Sequence, residues 1–345
     1  MKAFLEMSED RRRLVCQQAA ERLNLFEASV EKDFWVCWTL RTLWALPDIG
    51  PHLTFKGGTS LSKGWKLIDR FSEDIDLVID RPILDFGGAA APDAAPSRKQ
   101  TKKRLEALRV AAQKWIAAVV LPQLQDAIAR ALPAAGKNCL FPDSEDADGQ
   151  TLLFEYPTAF SEKPRYLRQV VKIEMGARSD TEPADIVSLE PMFAEVCPDL
   201  FAEASFEVCC VRPERTFWEK ALLLHEEGCR PSDKQQVRPG MARHYYDLHR
   251  LIESGIADKA RNDMSLFQRI VEHRRIYFRY AWMDYDHLGP GTLRLVPAAD
   301  QLADWRNDYA AMRTEMLYGE SPSFNQILQQ VQEFENTFNG VTKAS

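Results

Sequence analysis

The chain has 345 residues, of which 45% are hydrophobic and 28% are charged, and its net charge is −7. This composition is typical of a folded globular protein, and the length is sufficient for two domains. Seven cysteines without CxxC spacing argue against both a disulfide framework and a zinc site. The negative charge gives no general attraction to nucleic acid, so an RNA partner would need a local basic surface.

The first residues, MKAFLEMSEDRRR, contain no apolar signal core. No apolar run approaches the roughly 20 residues that are needed to cross a bilayer. We therefore expect a cytoplasmic protein with no membrane partner.

Helical spacing of apolar residues predicts two helices near the start, over residues 8–23 and 27–46. The Pro-, Ala- and Gly-rich stretch 81–97 is predicted to be a mobile loop. A further helix is predicted over residues 97–132, with Pro122 expected to kink or divide it. Its start carries a basic cluster, which is either a solvated face or a phosphate-binding surface: Arg98, Lys99, Lys102, Lys103 and Arg104.

Strands are predicted in TLLFEY near Leu152 and in residues 166–175, where Lys172 and Glu174 share one face. A last strand is predicted at residues 206–211, and helical patterns follow it. The expected fold class is α+β, with a small mixed sheet, helices against its back and a helical C-terminal domain. The predicted domain boundary lies between residues 205 and 206.

The stretch 55–80, FKGGTSLSKGWKLIDRFSEDIDLVID, is the most informative part of the sequence. It predicts a strand, a Gly-Gly turn, a helix and a second strand. Gly57 and Gly58 permit a tight turn close to a ligand, and Thr59 and Ser60 would open a helix whose first amides favour a phosphate. No Gly-Lys-Ser/Thr follows the turn, so it is not a P-loop. The alternative is a tight structural turn.

The second strand of this stretch carries Asp74 and Asp76 on one face, about 7 Å apart at their Cα atoms. Such acids on an apolar strand are costly to bury unless a cation compensates them, and magnesium prefers oxygen ligands. Glu174 provides a third acid on another strand, or is a salt-bridge partner of Lys172. These features indicate nucleotidyl transfer.

Three further side chains could contact phosphate. Lys63 and Lys66 follow the turn on the predicted helix, although such lysines often face water. Ser72 could bind a phosphate or cap the strand, and its phosphorylation would repel a triphosphate.

A second basic cluster is interleaved with aromatic residues and is either an RNA surface or a helix with a core face: Arg269, Arg274, Arg275, Tyr277, Phe278, Arg279 and Tyr280.

With these motifs in hand, the chain resembles the AbiEii/AbiGii-type nucleotidyltransferases, toxins of abortive-infection and toxin–antitoxin systems related to the MenT toxins. GGTSLSKGWKLIDRFSEDID is similar to the first motif of that family and KIEMG to the second. ERTFWEKALLLH resembles the third motif, with Lys220 at its lysine, and RHYYDLHRL the fourth, with Asp247 at its aspartate.

The resemblance implies a polymerase-β-like nucleotidyltransferase domain, placed here in residues 1–205, with a nucleoside triphosphate as substrate and two magnesium ions. For some relatives it also implies transfer to the 3′ end of tRNA, which stops growth, and a cognate antitoxin encoded nearby. Asp74 and Asp76 would hold the metals, and Glu174 would be a metal ligand or the base. Lys220 would pair with the triphosphate. Asp247 would act in the site, or would be a first-turn acid stabilised by the helix dipole, or would fix Arg243 or Lys220.

Two other functions are compatible with the same residues. The enzyme could modify a small molecule such as an aminoglycoside, or a protein side chain. Alternatively, the chain could be a non-catalytic nucleotide-binding interaction module.

Overall fold

The computed structural model describes residues 1–72, 74–160, 169–201, 203–231, 237–317 and 321–340. The chain forms two compact units: the first comprises Met1–Trp65 and Phe71–Val211, and the second comprises Lys66–Arg70 and Arg212–Ser345. Within the described residues, no helix has the length and apolar character needed to span a membrane.

The first unit contains eight helices among its described residues. They are α1 Lys2–Leu5, α2 Glu9–Leu23, α3 Glu27–Trp44, α4 Gly57–Thr59, α5 Arg98–Trp115, α6 Leu121–Ala131, α7 Phe193–Val196 and α8 Pro198–Phe201. Ser8 caps α2, because its hydroxyl accepts a hydrogen bond from the Arg11 amide. A π turn, Ile116–Val120, joins α5 to α6, and Pro122 lies in the first turn of α6. The run is therefore helical from Arg98 to Ala131, its one irregularity among these residues lies just before Pro122, and a kink at Pro122 stays a prediction.

Seven strands form one mixed sheet in the order β3-β4-β5-β2-β1-β7-β6. They are β1 Leu53–Lys56, β2 Ile75–Ile79, β3 Leu140–Pro142, β4 Thr151–Glu155, β5 Val170–Gly176, β6 Ala184–Leu189 and β7 Phe206–Val211. β2 pairs with β5 in parallel and with β1 antiparallel, so it occupies the middle of the sheet. The strand predicted over residues 166–175 begins at Val170, and residues 166–168 lie outside the described part of the chain.

The core of the first unit lies between one face of the sheet and α3. Trp35 of α3 is fully buried and stacks on Tyr156 with ring centroids 5.6 Å apart. It also contacts Trp38 and Phe154 edge to face. Alternation along β5 buries Ile173 on this side and leaves its neighbours Lys172 and Glu174 partly exposed on the other. Helix packing therefore covers one face and leaves the acidic face accessible.

The segment predicted as a mobile loop contains three short 3₁₀ turns: Arg81–Leu84, Gly88–Ala90 and Pro92–Ala94. Leu84 and Pro92 are buried. Arg104 of α5 donates hydrogen bonds to the carbonyls of Ala89 and Ala91, at 2.8 and 2.7 Å. The composition correctly predicts the lack of longer helices and strands, and the mobility remains a prediction.

The second unit is helical, as predicted from its periodicity. Its described helices are α9 Pro213–Gly228, α10 Arg243–Glu253, α11 Ile256–Asn262, α12 Met264–Tyr277, α13 Leu302–Met316 and α14 Phe324–Phe338. Trp218 of α9 is fully buried against Phe267 and Phe338, with centroids 4.7 and 5.1 Å away. Its indole N–H donates to the Ala260 carbonyl at 3.0 Å, so the buried polar atom is satisfied. The α+β class is confirmed, and strand 206–211 belongs to the sheet of the first unit.

Candidate active site on the sheet face

The central residue of the candidate site is Asp76, on the middle strand β2. Strand register places Lys56 of β1 opposite Asp76 on one side and Glu174 of β5 opposite it on the other. Asp74 lies two residues earlier, just before β2 begins. The predicted convergence of Asp76 and Glu174 follows directly from this register, because paired residues on neighbouring strands point to the same face.

The glycine turn packs directly against this aspartate. Gly57 has a φ of +82°, in the region that favours glycine, and a Cβ at this position would overlap the Asp76 carboxylate. Glycine is thus required both for the backbone conformation and for space. The turn and the acid were predicted to be neighbours, and here they are in contact.

The two hydroxyls that were predicted to bind phosphate, those of Thr59 and Ser60, form hydrogen bonds within the protein instead. The helix begins at Gly57 and not at Thr59, and it continues only as a π turn, Ser60–Gly64. Thr59 and Ser60 are completely buried. The Thr59 hydroxyl lies 2.8 Å from Ser72 Oγ and donates to the Asp74 carbonyl at 2.6 Å. The Ser60 hydroxyl donates to the Gly57 carbonyl at 2.9 Å, so these residues fix the turn and the start of β2.

Lys63 is engaged in a buried ion pair with Asp33 of α3. Burial lowers the pKa of Lys63, but Asp33 outweighs it, so the pKa is raised. The other Asp33 oxygen accepts a hydrogen bond from the Met192 amide at 2.7 Å. Lys66 is exposed at a φ of 53°, beyond the helical segment, so the prediction that it continues the same helix is wrong. Lys63 therefore anchors the turn to α3.

Electrostatics single out Asp76. Burial, only partly offset by Lys56, together with the charges of Glu174 and Asp74, raises its pKa to about 7. The Lys56 ammonium also donates to Ser179 Oγ at 2.8 Å. Glu174 forms an ion pair with Lys172, one of the two roles that the sequence predicts for Glu174.

Three acids grouped on one sheet face have the hard oxygen chemistry that magnesium prefers. Desolvation and the charges of Glu174 and Asp74 raise the pKa of Asp76, and Lys56 only partly offsets them, which are surroundings suited to a bound cation. Across the described ranges, however, no group of three His, Cys, Asp or Glu side chains is arranged to hold a metal ion. The donor set fits a divalent cation in its chemistry, while its three members are not assembled as a ready site.

The second unit contains a separate buried charge cluster. Asp247 of α10 receives two hydrogen bonds from Arg70, at 2.7 and 2.8 Å, and its Oδ2 lies 2.7 Å from the Lys220 ammonium of α9. Burial raises the pKa of Asp247, but the two cations outweigh it, and the pKa lies well below its usual range. Burial lowers the pKa of Lys220 despite Asp247. One alternative foreseen for Asp247, a partner that fixes Lys220, is what the structure contains.

Sequence reasoning missed Lys56, Asp33 and Arg70. Lys56 could have been found, because a lysine ends an apolar strand immediately before the glycine pair. Arg70 belongs to the RFSED run of the first motif, yet nothing in its neighbourhood indicates a partner 177 residues away. Asp33 is hidden in an otherwise ordinary helix.

A glycine turn pressed against an aspartate on a mixed sheet, with further acids on the same face, is the arrangement of a nucleotidyltransferase. Residues 38–330 match the family model described as "Nucleotidyl transferase AbiEii toxin, Type IV TA system". The chain belongs to this family and is a nucleotidyltransferase toxin of a type IV toxin–antitoxin system.

Among solved structures, the chain is similar to MenT4, a nucleotidyltransferase toxin from Mycobacterium tuberculosis H37Rv. The identity is 16%, the TM-score is 0.45, and the match covers 98% of this chain and 100% of the other. No curated protein matches the sequence significantly.

The contact at Gly57 predicts the effect of Gly57→Ala. The added methyl group must displace the Asp76 carboxylate, so we expect transferase activity to fall at least about tenfold. The strained φ should also cost about 1–3 kcal/mol of stability. Gly136→Ala is the matched control, because Gly136 has a φ of +68° with open space around it. Equal activities of the two variants, measured on folded protein, would contradict the role of the contact.

The ion pair of Lys63 predicts a structural effect and no effect on nucleotide binding. Lys63→Met leaves Asp33 buried and uncompensated, which should lower the free energy of unfolding by about 3–5 kcal/mol. The KM for nucleotide should be unchanged in the folded enzyme. Asp33→Asn, which keeps the lysine, should behave alike. A raised nucleotide KM in Lys63→Met but not in Asp33→Asn would instead assign Lys63 to phosphate binding.

The buried cluster at Asp247 predicts a pH-dependent stability. Because its pKa is lowered from the ordinary 3.8, ionised Asp247 stabilises the fold fully at neutral pH, and this stabilisation is lost as the pH falls below about 4. Asp247→Asn should lower the free energy of unfolding by about 3–5 kcal/mol at pH 7 and flatten its decline between pH 5 and 3. Denaturant unfolding at several pH values measures both effects.

The matched control for this experiment is Asp258→Asn, which removes an exposed acid paired with Arg261 in the same unit. It should change the stability by at most about 0.5 kcal/mol. If Asp247→Asn were equally mild, the cluster would not be a stabilising element.

Proposed function

We propose that this toxin is a magnesium-dependent enzyme that transfers a nucleotide from a nucleoside triphosphate to the 3′ end of an RNA, with tRNA as the first candidate. The observation that carries the proposal is the position of Asp76 between Gly57, Lys56 and Glu174, with its raised pKa. A carboxylate in such surroundings is suited to a cationic ligand.

In this proposal Asp74, Asp76 and Glu174 would hold the metal. When bound, magnesium would neutralise charge on the phosphates and on the attacking and leaving oxygens. Asp74 is oriented through its carbonyl by Thr59, and Asp76 by the contact with Gly57. Glu174 would exchange its ion pair with Lys172 for the metal or would accept the proton of the acceptor hydroxyl.

The phosphates would be held mainly by backbone amides. Helical amides at the start of a helix have no carbonyl partner four residues back and therefore favour anions. The helical segment begins at Gly57, and the hydroxyls of Thr59 and Ser60 are already engaged. We therefore assign the amides of Gly57 and Gly58, rather than those hydroxyls, to the cradle.

The other predicted phosphate contacts are kept as part of the proposal. Lys220 stays a proposed ligand of the triphosphate, and its pair with Asp247 would fix the direction of its ammonium group. Lys66 and Ser72 stay proposed phosphate contacts. A cognate antitoxin is implied by the type IV family, and we propose that it is encoded beside the toxin.

The test is a transfer assay with each α-labelled nucleoside triphosphate and magnesium, offered separately to total tRNA, cell protein and aminoglycosides. We expect label in tRNA only. Asp74→Ala and Asp76→Ala should each lower the rate by at least about 10²-fold, because catalysis of this kind rests on charge stabilisation. Chelation of the metal should abolish transfer.

Asp80→Ala is the matched control, since Asp80 is an exposed acid just beyond the other end of β2. It should retain the rate of the unmodified enzyme. Label in protein or in the drug would assign the acceptor to those classes. Nucleotide binding without any transfer would overturn the enzymatic proposal in favour of a binding module.

Asp76→Asn provides a check that the loss is chemical. Removing a half-buried charge that faces Glu174 and Asp74 should leave the thermal unfolding temperature unchanged or higher in metal-free protein. A large fall in that temperature would mean that Asp76 serves the fold through Lys56.

A further inference from the structure

The first turns of α5 carry four exposed cations. Arg98, Lys99, Lys102 and Lys103 all lie on the surface. Ser97 caps the helix by accepting a hydrogen bond from the Gln100 amide, and the first turn contains no acid. Among the described residues, none of these four side chains takes part in an ion pair, and Glu106, one turn further along, is paired with Arg109. We call this group the α5 patch.

This placement is unfavourable for the fold. The N-terminal end of a helix carries partial positive charge, so Arg98 and Lys99 in the first turn oppose the helix dipole, and like charges three or four residues apart on the helix repel each other. The protein as a whole is acidic, with a net charge of −7. The cations at the start of α5 therefore do not stabilise the helix through its dipole.

The second basic cluster of the sequence is different, because acids pair with two of its four arginines, while Arg269 and Arg279 are exposed. Arg274 is paired with the buried Glu226, and Arg275 with Glu272. Tyr277 is 2% exposed and belongs to the core of the second unit. The interleaved aromatic residues therefore reflect a helix with a buried face. Of the two clusters, the α5 patch is the one suited to bind phosphates.

The α5 patch and the candidate active site belong to the same unit. Asp76 lies near the start of β2, which ends at Ile79. The turn Arg81–Leu84 follows the strand and packs against α5. From Asp76 to Asp80 the strand advances roughly 13 Å. Arg104 fixes this region by bonding the carbonyls of Ala89 and Ala91. The α5 patch and Asp76 are therefore connected through one packed segment of the first unit.

We propose that the α5 patch binds backbone phosphates of the RNA acceptor, upstream of the 3′ end that enters the site. This rests on the proposed function, since it names the surface that holds the same acceptor. Phosphate contacts give affinity without sequence preference and release counterions. Four contacts correspond to a salt slope of about −3 in log K against log salt.

The experiment compares the unmodified enzyme with a variant in which Arg98, Lys99, Lys102 and Lys103 are all changed to Gln. Two acceptors are used: full-length tRNA and a trinucleotide with the same 3′ end. We expect the KM for tRNA to rise about 10- to 100-fold, with kcat and the KM for the trinucleotide unchanged. Fluorescence anisotropy without nucleotide measures tRNA binding. Its slope of log K against log salt should become less negative by about 3 in the variant.

The matched control changes four exposed cations elsewhere, Lys2, Arg11, Lys259 and Arg306, to Gln. It removes the same net charge, so it separates a local surface from general electrostatics. Circular dichroism and the unfolding temperature of both variants verify the fold. Removing the α5 patch should not destabilise the protein.

The outcomes distinguish this inference from the proposed function. The α5 variant could transfer to tRNA with an unchanged KM and salt slope, or both variants could lose tRNA binding equally. Either result would overturn the RNA-binding role of the α5 patch and leave the proposed reaction intact. Patch-dependent tRNA binding without transfer to any RNA would overturn the proposed reaction while the binding surface stands.

Discussion

The first unit depends on placing acids side by side on the middle strands of one sheet. Asp76 lies half-buried between Lys56 and Glu174, and desolvation together with the charges of Glu174 and Asp74 outweighs Lys56 and raises its pKa to about 7. Such a position is unfavourable for the isolated chain, since burial and like charge both oppose ionisation. The surrounding structure is organised to maintain it: Gly57 leaves room for the carboxylate, and Thr59 holds the backbone at Asp74. The unfavourable charge is consistent with a site that binds a cation.

Buried ion pairs supply the rigidity on which this arrangement rests, within each unit separately. Lys63 is fixed by Asp33, which also receives the Met192 amide, so the turn, α3 and the segment after β6 meet at one carboxylate. In the second unit Asp247 gathers Arg70 and Lys220. Breaking one partner of such a cluster leaves an uncompensated charge, and this makes the conformation specific even where the net stabilisation is small.

An acidic enzyme that acts on a polyanion must separate the two kinds of charge on its surface. The carboxylate face of the sheet would repel RNA phosphates, whereas the first turn of α5 carries cations and no acid. Two arginines of α12, Arg274 and Arg275, are paired with Glu226 and Glu272 instead. Under the proposed function, the acids serve the metal and the reacting end of the acceptor, while attraction of the remainder depends on a local surface.

The sequence by itself predicted five of the seven strands of the described sheet, β1, β2, β4, β5 and β7, together with the residue types of the candidate site. Alternation predicted which face of its own strand Asp76 and Glu174 each occupy, and the motifs indicated the family, because each of these signals lies within a short stretch of the chain. Only the tertiary structure decided which partners Lys63, Arg70 and Asp247 bind. Their partners come from distant segments, and a lysine bound to phosphate has the same local pattern as one bound to a buried acid. Periodicity reports which way a side chain points, whereas long-range packing decides what it meets.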